Sequence, residues 1–486
     1  MEQRFLHGRR LIKIDEVEIN EQNIMRVLQK ALTIHNMNRS EIEYLWQYYR
    51  GRQPIEDREK PVRPEINNKV VINRAEEIVS FKTGYLVGEP IQYVARGEDA
   101  DEAKLSDINQ LNDMMFAEEK ASKDKEMADW FHICGTSYRI ALPDASGRED
   151  ESPFEHYVLD PRNTFVVYTA EMSQEPLMGV HYVTDDEGNV RYGCYTKTDF
   201  YEILNGINIV RKMPHVLGDI PIIEYPLNIA RIGAFELVLP ILDAINTVES
   251  NRLDGLEQFV QSLLLFHNVD ITSDDYKTLR EEGAIKFRDV DPQLRADVRY
   301  ITNSLDQQET QTLVDNLYQT VLTICGMPCT GDGKTSDSSN NGAVILRNGW
   351  QTAEARAKDS ELMFKRSERR FLKIVLNIAK TMRGIDLRVA DVEIRFTRRN
   401  YEAILEKAQV LTMLLSSEKV HPRLAFEHCG MFPDPDLAYS MSEHYREENE
   451  EKAQERMLMY GDQADGQDDR ADSADTETRQ QSGVGD

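Results

Sequence analysis

The sequence predicts a mostly helical α+β protein made of several packed units. Three observations point there. The chain has 486 residues, more than one hydrophobic core usually organises. Long stretches repeat their apolar residues every three and four positions, the spacing of one helix face. Residues 131 to 230 break that pattern with short β-rich runs punctuated by turn signals. Hydrophobic residues make up 40% and charged residues 29%, an ordinary soluble composition. No apolar run is long enough to span a bilayer, so no membrane association is expected. The first twenty residues, MEQRFLHGRRLIKIDEVEIN, are charged throughout and lack a signal core, so the expected compartment is the cytoplasm of the cell that makes the protein.

Residues 20 to 50 read as helix, with Asn20 as N-cap and Ile24, Val27, Leu28, Ala31 and Ile34 on one face. A second start is expected at Ser40, where Ser40 and Glu43 form a capping-box pattern. The proline-rich, charged stretch 51 to 66 reads as an extended connector. Helix resumes from Arg74 to Leu86, stopped by Gly88 and Pro90, and again over 105 to 130. The β block holds YRIALPD, HYVLD, TFVVYT, MGVHYVTD, VRYGCYT and DFYEILNG, separated by DASG, DDEGN and LNGIN; DIPIIEYP closes it. These predict an antiparallel region.

A long helix follows over 234 to 264, with Pro240 in its first turns, where a missing N–H costs least or marks a kink. A small α/β insert comes next, LLLFHNVDI, SDDYKTLREEG, AIKFRDV and VRYITNSL, and then a second helix from Gln307 to Cys325. Residues 326 to 342, GMPCTGDGKTSDSSNNG, are a polar loop of unusual length between two strong helices, and such loops tend to carry function. A helix over 343 to 383 is expected to bend at Gly349. The strand DVEIRFTR, helices over 400 to 416 and 418 to 428, and a charged helix from Leu437 to Leu458 complete the order. Residues 461 to 486 lack Leu, Ile, Phe and Trp and are rich in aspartate, so they are expected to be disordered.

The formal net charge is −27, which argues against a sequence-reading nucleic-acid binder. It is compatible with a conduit, because a wall that neutralised phosphates would grip the duplex rather than let it slide. Five scattered cysteines fit reduced thiols and no disulfide framework; Cys325 and Cys329 lack the second pair a structural zinc site needs. No HExxH, GxSxG or His–Cys arrangement is present, so no catalytic residue, cofactor or metal is predicted. His132, His156 and His181 read as satisfied structural residues, and Glu118–Glu119 and Asp274–Asp275 as solvated or helix-start carboxylates. GDGKT at 331 to 335 invites a phosphate-loop reading, but Pro328 stands where the first glycine belongs and the loop follows a helix instead of a strand.

Four collinear segments carry a family resemblance. They are NNKVVINRAEEIVSFKTGYLVGEPIQY (67 to 93), IPIIEYPLNIARIGAFELVLPILDAINTVESNRLDGLEQF (220 to 259), NGAVILRNGWQTAEARAKDSELMFKRSERRFLKIV (341 to 375) and VEIRFTRRNYEAILEKAQVLTML (392 to 414). Together they resemble the portal proteins of siphoviruses that infect Gram-positive bacteria, although Asn341 stands where that family usually has Ser. The resemblance implies a subunit of a ring, twelvefold in the capsid, at one vertex of the virion, serving as the conduit for double-stranded DNA during packaging and ejection. It implies a wing over 1–232 with part of 343–384, a stem of helices within 233–262 and 307–326, a clip at 263–306, a tunnel loop at 327–342, and a strand and helical crown at 385–460. Implied partners are other copies of the chain, DNA bound without sequence preference, the terminase large subunit, head–tail adaptors, and major capsid and scaffolding proteins.

On this reading Thr330, Asp332, Lys334, Thr335, Asp337, Asn340 and Asn341 face DNA, with Lys334 meeting phosphate and the two aspartates limiting attraction. Asp243, Glu249, Asp254 and Glu257 are candidates to line the stem tunnel, or else form a solvated helix face. Lys365, Arg366, Arg369 and Arg370 are candidates for ion pairs between subunits, which a ring with unlike contacting patches needs, or else form a surface patch. The rival readings are a nucleotide hydrolase using GDGKT and another minor phage head protein.

Overall fold

Alternating apolar residues build the larger of two main sheets. In the computed structural model, which describes residues 8–96, 102–144, 152–260, 263–269, 297–301, 307–328, 349–398, 404–417, 419–432 and 435–464, six strands lie in the order β1-β5-β6-β7-β8-β9. These are β1 (Ile12–Ile14), β5 (Thr164–Thr169), β6 (Pro176–Thr184), β7 (Val190–Tyr195), β8 (Asp199–Leu204) and β9 (Asn208–Pro214). The strands from β5 to β9 form the expected antiparallel meander. Its last turn, Asn205–Gly206, has both residues at positive φ, the chemistry of a tight hairpin. The meander is not the whole sheet: β1 pairs in parallel with β5, Ile12 opposite Val167.

Helix α1 (Ile24–Tyr49) is one uninterrupted rod of 26 residues. The start expected at Ser40 does not occur; its hydroxyl donates back to the Met37 carbonyl at 2.9 Å. The N-cap is Asn23, while the Asn20 side chain accepts the N–H groups of Gln22 and Asn23 one turn earlier. Ile24, Val27, Leu28 and Ala31 bury against Phe165, Val167, Val180 and Tyr201 of the sheet. Ile42, Leu45 and Tyr48, further along, enter a different core.

The second main sheet, β10-β3-β4, is antiparallel. It contains β3 (Thr136–Pro143), β4 (Phe154–Leu159) and β10 (Ile222–Pro226). The stretch read as a single helix over 105 to 130 is two, α3 (Glu102–Ala117) and α4 (Lys120–Cys134), broken where Glu119 adopts φ 52°. Gly135 ends α4 at φ +77°, and a Cβ there would lie 2.3 Å from the Arg231 carbonyl oxygen, so only glycine fits. Helix α7 (Trp350–Arg383) packs on this sheet through Phe364, Phe371, Leu372 and Val375. Gly349 is its N-cap at φ 76°; 343–348, where the sequence reading started this helix, lie outside the described residues. Strand β2 (Gln92–Ala95), which follows α2 (Arg74–Val87), pairs with β13 (Val392–Arg395).

Helix α5 (Leu239–Val260) follows a 3₁₀ turn at Glu236–Val238, so Pro240 sits in its first turn as expected. Strands β11 (Leu263–His267) and β12 (Asp297–Ile301) pair antiparallel, and α6 (Gln307–Cys325) returns with the boundaries read from the sequence. The insert's own helix and Asp274–Asp275 lie outside the described residues.

The chain divides into two compact units, 1–399 and 400–486. The second contains α8 (Ile404–Leu415), α9 (Pro422–Cys429) and α10 (Pro435–Ala464). Pro422 opens α9 at its first position, with His421 Nδ1 accepting the Arg423 N–H at 3.3 Å. Phe426 stacks on Phe432, ring centroids 5.3 Å apart. Helix α10 runs to Ala464, into the stretch from 461 expected to lack structure; 465–486 lie outside the described residues.

Candidate functional site

Helices α5 and α6 form an antiparallel pair rooted in the first unit. At one end Arg252 donates to the side-chain oxygens of Gln307 (2.5 Å) and Gln311 (2.7 Å). At the other, Cys325 lies 3.6 Å from the Ala234 carbonyl oxygen. Leu239, Leu242 and Ile245 meet Val321, Leu322 and Cys325 in one core with Ile78 and Val79 of α2 and Leu45 of α1.

A polar ladder fastens an extended strap along α5. Asn246 Oδ1 accepts the Ile72 N–H at 2.9 Å, Ser250 Oγ accepts that of Val70 at 3.0 Å, and Asp254 Oδ1 accepts that of Asn68 at 2.7 Å. The helix steps by four residues while the strap steps by two in the opposite direction. Four helical residues advance about 6 Å and two extended residues about 6.6 Å, so the two repeats stay in register over three rungs. Lys60 and Arg58 close the end of the ladder on Asp254 Oδ2. All three rung residues on α5 are buried. Burial alone would raise the Asp254 pKa, but Lys60 and the two N–H groups of Asn68 outweigh it and hold the carboxylate below its ordinary range.

These contacts place the four acidic candidates differently from a lining of open carboxylates. Asp254 is 2% exposed and is the strap's anchor, which corrects its reading as a tunnel residue. Asp243 accepts the Tyr48 hydroxyl at 2.9 Å, and burial raises its pKa against that bond. Glu249 lies 3.6 Å from Arg252 on its own helix. Glu257 alone of the four is exposed to solvent. The sequence reading missed Asn246 and Ser250 because it searched for charge. The readable signal was the four-residue spacing of Asn246, Ser250 and Asp254, which sets three polar side chains along one face of the helix.

The basic candidates on α7 also separate. Lys365 pairs with Glu361 at 2.6 Å, which answers its charge within the chain. Arg366 and Arg369 are exposed, and Arg366 and Arg370 line a cleft of about 350 Å³. Thr330, Asp332, Lys334, Thr335, Asp337, Asn340 and Asn341 lie outside the described residues, as do GDGKT and Cys329. The helix before them ends at Cys325, a buried thiol whose pKa burial pushes up to about 11.

A knot of buried charge, which the sequence reading did not single out, ties α4, β3 and α7 together. Lys120 Nζ contacts Asp124 Oδ2 at 2.5 Å and Glu368 Oε1 at 3.1 Å. Arg139 bonds Asp124 and reaches Glu368 Oε2 at 3.4 Å. The hydroxyls of Tyr93 (2.6 Å) and Tyr225 (2.7 Å) donate to the same Glu368 carboxylate. Burial opposes ionisation of Glu368, yet Lys120, Arg139 and both hydroxyls keep its pKa below the usual carboxylate value. His156 packs on Phe154 and Phe371 beside this knot. Neither of its ring nitrogens finds a hydrogen-bond partner, so the expectation of a satisfied histidine fails there. It holds for His132, bonded to Thr83 at 3.2 Å, and for His181, bonded to Thr164 at 2.9 Å. Among the described residues no group of His, Cys, Asp and Glu is arranged to hold a metal ion, and no helix is long and apolar enough to cross a membrane.

The family model for phage portal proteins, SPP1 Gp6-like, matches residues 28–455. The chain belongs to this family. All four segments on which the resemblance rested lie within that range, and a phage portal protein is a structural component of the virion. No curated protein matches this portal protein. Among solved structures, a chain from the "Neck of empty GTA particle computed with C6 symmetry" is 14% identical with a TM-score of 0.44. The match covers 74% of this chain and 90% of that one. A chain from the "Virion of native gene transfer agent (GTA) particle" is 13% identical with a TM-score of 0.43 and the same coverage. A chain from the "Neck of native GTA particle computed with C12 symmetry" is 13% identical with a TM-score of 0.41, again covering 74% and 90%. Likenesses this distant say nothing about the portal protein's individual residues.

Proposed function

We propose that this portal protein closes into a ring, a dodecamer in the capsid, through which double-stranded DNA is packaged and later ejected. In this reading α5 and α6 are the stem, 263–306 the clip, 327–342 the tunnel loop, 1–232 with part of 343–384 the wing, and 385–460 the strand and helical crown. The clip docks the terminase large subunit during packaging and head–tail adaptors afterwards, and the rim of the ring meets capsid and scaffolding proteins. The protein hydrolyses nothing; the family to which it belongs is structural.

The observation that carries the reading is the helix pair. One side of it is satisfied by the first unit's core, while Leu253, Leu256, Leu313 and Ile324 stay 40–49% exposed along the other. Apolar residues repeated along two adjacent helices call for a cover, and a neighbouring copy supplies it. Negative-stain imaging of the purified full chain is expected to give closed rings with a central hole wide enough for B-form DNA. A stable monomer at micromolar concentration by light scattering overturns the ring. Calorimetric titration with ATP is expected to give no heat of binding; saturable binding lost in Lys334→Ala would instead establish a nucleotide site. Shortening 327–342 is expected to leave ring assembly intact and to reduce DNA retention in particles.

A further inference from the structure

The cleft beside α7 holds positive charge that the described chain does not answer. Five cationic side chains line it, Arg9, Lys13, Arg231, Arg366 and Arg370, against the single carboxylate of Glu224. Arg9 is taken by Glu41 and Glu236. Arg231 grips both oxygens of Glu224, at 2.6 and 3.0 Å. Glu224 also accepts the Tyr168 hydroxyl at 2.5 Å and the Thr136 hydroxyl at 3.1 Å, so it has no capacity left. Lys13, Arg366 and Arg370 have no ion pair or hydrogen bond among the described residues. In a chain of net charge −27, three unanswered cations around one concave site are a local reversal of the surface field.

We infer that this cleft receives carboxylate side chains from a second copy of the chain, and so is one half of the contact that closes the ring. The inference rests on the ring reading above and deepens it by naming which of the α7 cations act there. Arg366 and Arg370 stand one helical turn apart on the face opposite Phe364, Glu368 and Phe371, which are buried. Their backbone is therefore held rigidly and their guanidinium groups are presented together, the arrangement that suits bidentate capture of carboxylates. The cleft's volume, about 350 Å³, admits one or two acidic side chains. A duplex presents its phosphates on a wide convex cylinder and could touch only the rim. A ring of identical copies needs two unlike patches on each, and a chain with 85 acidic against 58 basic residues has carboxylates in excess to supply the second.

The test uses the full-length protein. Arg366→Glu with Arg370→Glu, and separately Arg366→Gln with Arg370→Gln, are compared with wild type for the concentration at which rings form. Arg366 is exposed and Arg370 half-buried, with no ion pair among the described residues, so circular dichroism is expected to be unchanged; the glutamine pair remains informative if the glutamate pair misfolds. The inference predicts a rise of at least about ten-fold in that concentration for the glutamate pair and a smaller rise for the glutamine pair. A photo-cross-linking residue at Met363, which also lines the cleft, should capture an acidic peptide from the other copy when heavy- and light-isotope chains are mixed. If wild type forms rings and the variants do so at the same concentration, or the cross-link joins residues within one chain only, this inference falls and the ring stands. If the variants assemble normally but lose affinity for a 20-base-pair duplex in fluorescence anisotropy, the cleft is a DNA contact and the inference is likewise overturned. If wild type never assembles, both readings fall together.

Discussion

The knot around Glu368 and the ladder along α5 both fasten helices with polar groups, yet they are built on opposite principles. The knot gathers two carboxylates and two cations with no solvent access, so each charge survives only because the others are present. The ladder spreads its bonds over three rungs, two of them neutral acceptors for backbone N–H groups, and its cations Lys60 and Arg58 reach partly into solvent. The contrast teaches that the knot is all-or-none, whereas the ladder can be loosened one rung at a time.

The largest expected effect is at the knot. Glu368→Ala leaves two buried cations, Lys120 and Arg139, sharing the one carboxylate of Asp124 and should cost about 3–5 kcal/mol in chemical denaturation. A loss no greater than a surface substitution would mean the charges rearrange, and the contrast would dissolve. Acid should come next. His132 and His35 are held neutral, their pKa values lowered by burial to about 3 and about 4. His156 is lowered by burial and then by Arg139, Lys123 and Lys120. Because the unfolded chain takes up these protons first, the stabilisation is complete above pH of about 6.5 and is lost as pH falls toward the folded values, at about 1.4 kcal/mol per histidine per unit. The lowered pKa of Asp254 delays loss of the ladder until pH falls below the ordinary carboxylate range. Hydrogen exchange during acidification should therefore reach α4 and β4 before residues 68–72; the reverse order would refute the contrast.

Asp254→Ala removes the strap's charged anchor and should cost about 2 kcal/mol, with new proteolytic cuts near Lys60 and Arg63 and none in the sheet. Ser250→Ala should be smallest, about 1 kcal/mol, with faster exchange at the Val70 amide and little change at Asn68 or Ile72. If that single change released the whole strap, the ladder would be as cooperative as the knot.

Much of the scaffold could be read before any coordinates, and the failures have physical causes. The 307–325 helix was legible to the residue because its apolar stripe is regular and polar segments bound it. The parallel pairing of Ile12–Ile14 was not, since three residues among charges carry little periodicity and their partner lies over 150 positions away. The Ser40–Glu43 pattern misled because a capping box helps only where amides lack partners, and within α1 those amides already have them. Asp254 was chosen by residue type, but one chain's pattern does not say which carboxylates a neighbouring strap will cover. Glu368 was within reach of the sequence: it lies four residues from both Phe364 and Leu372, on the apolar face of α7, where an unpaired carboxylate could not remain.

Helix α1 has one further consequence. Its N-terminal half is part of the six-stranded sheet's core and its C-terminal half part of the core beneath α5 and α6, with about 39 Å of continuous helix between its ends. Neither core can melt without exposing half of the same rod. Heating should thus take both through a single shared transition, and a tilt imposed on the helix pair would be carried to the distant sheet as by a crowbar.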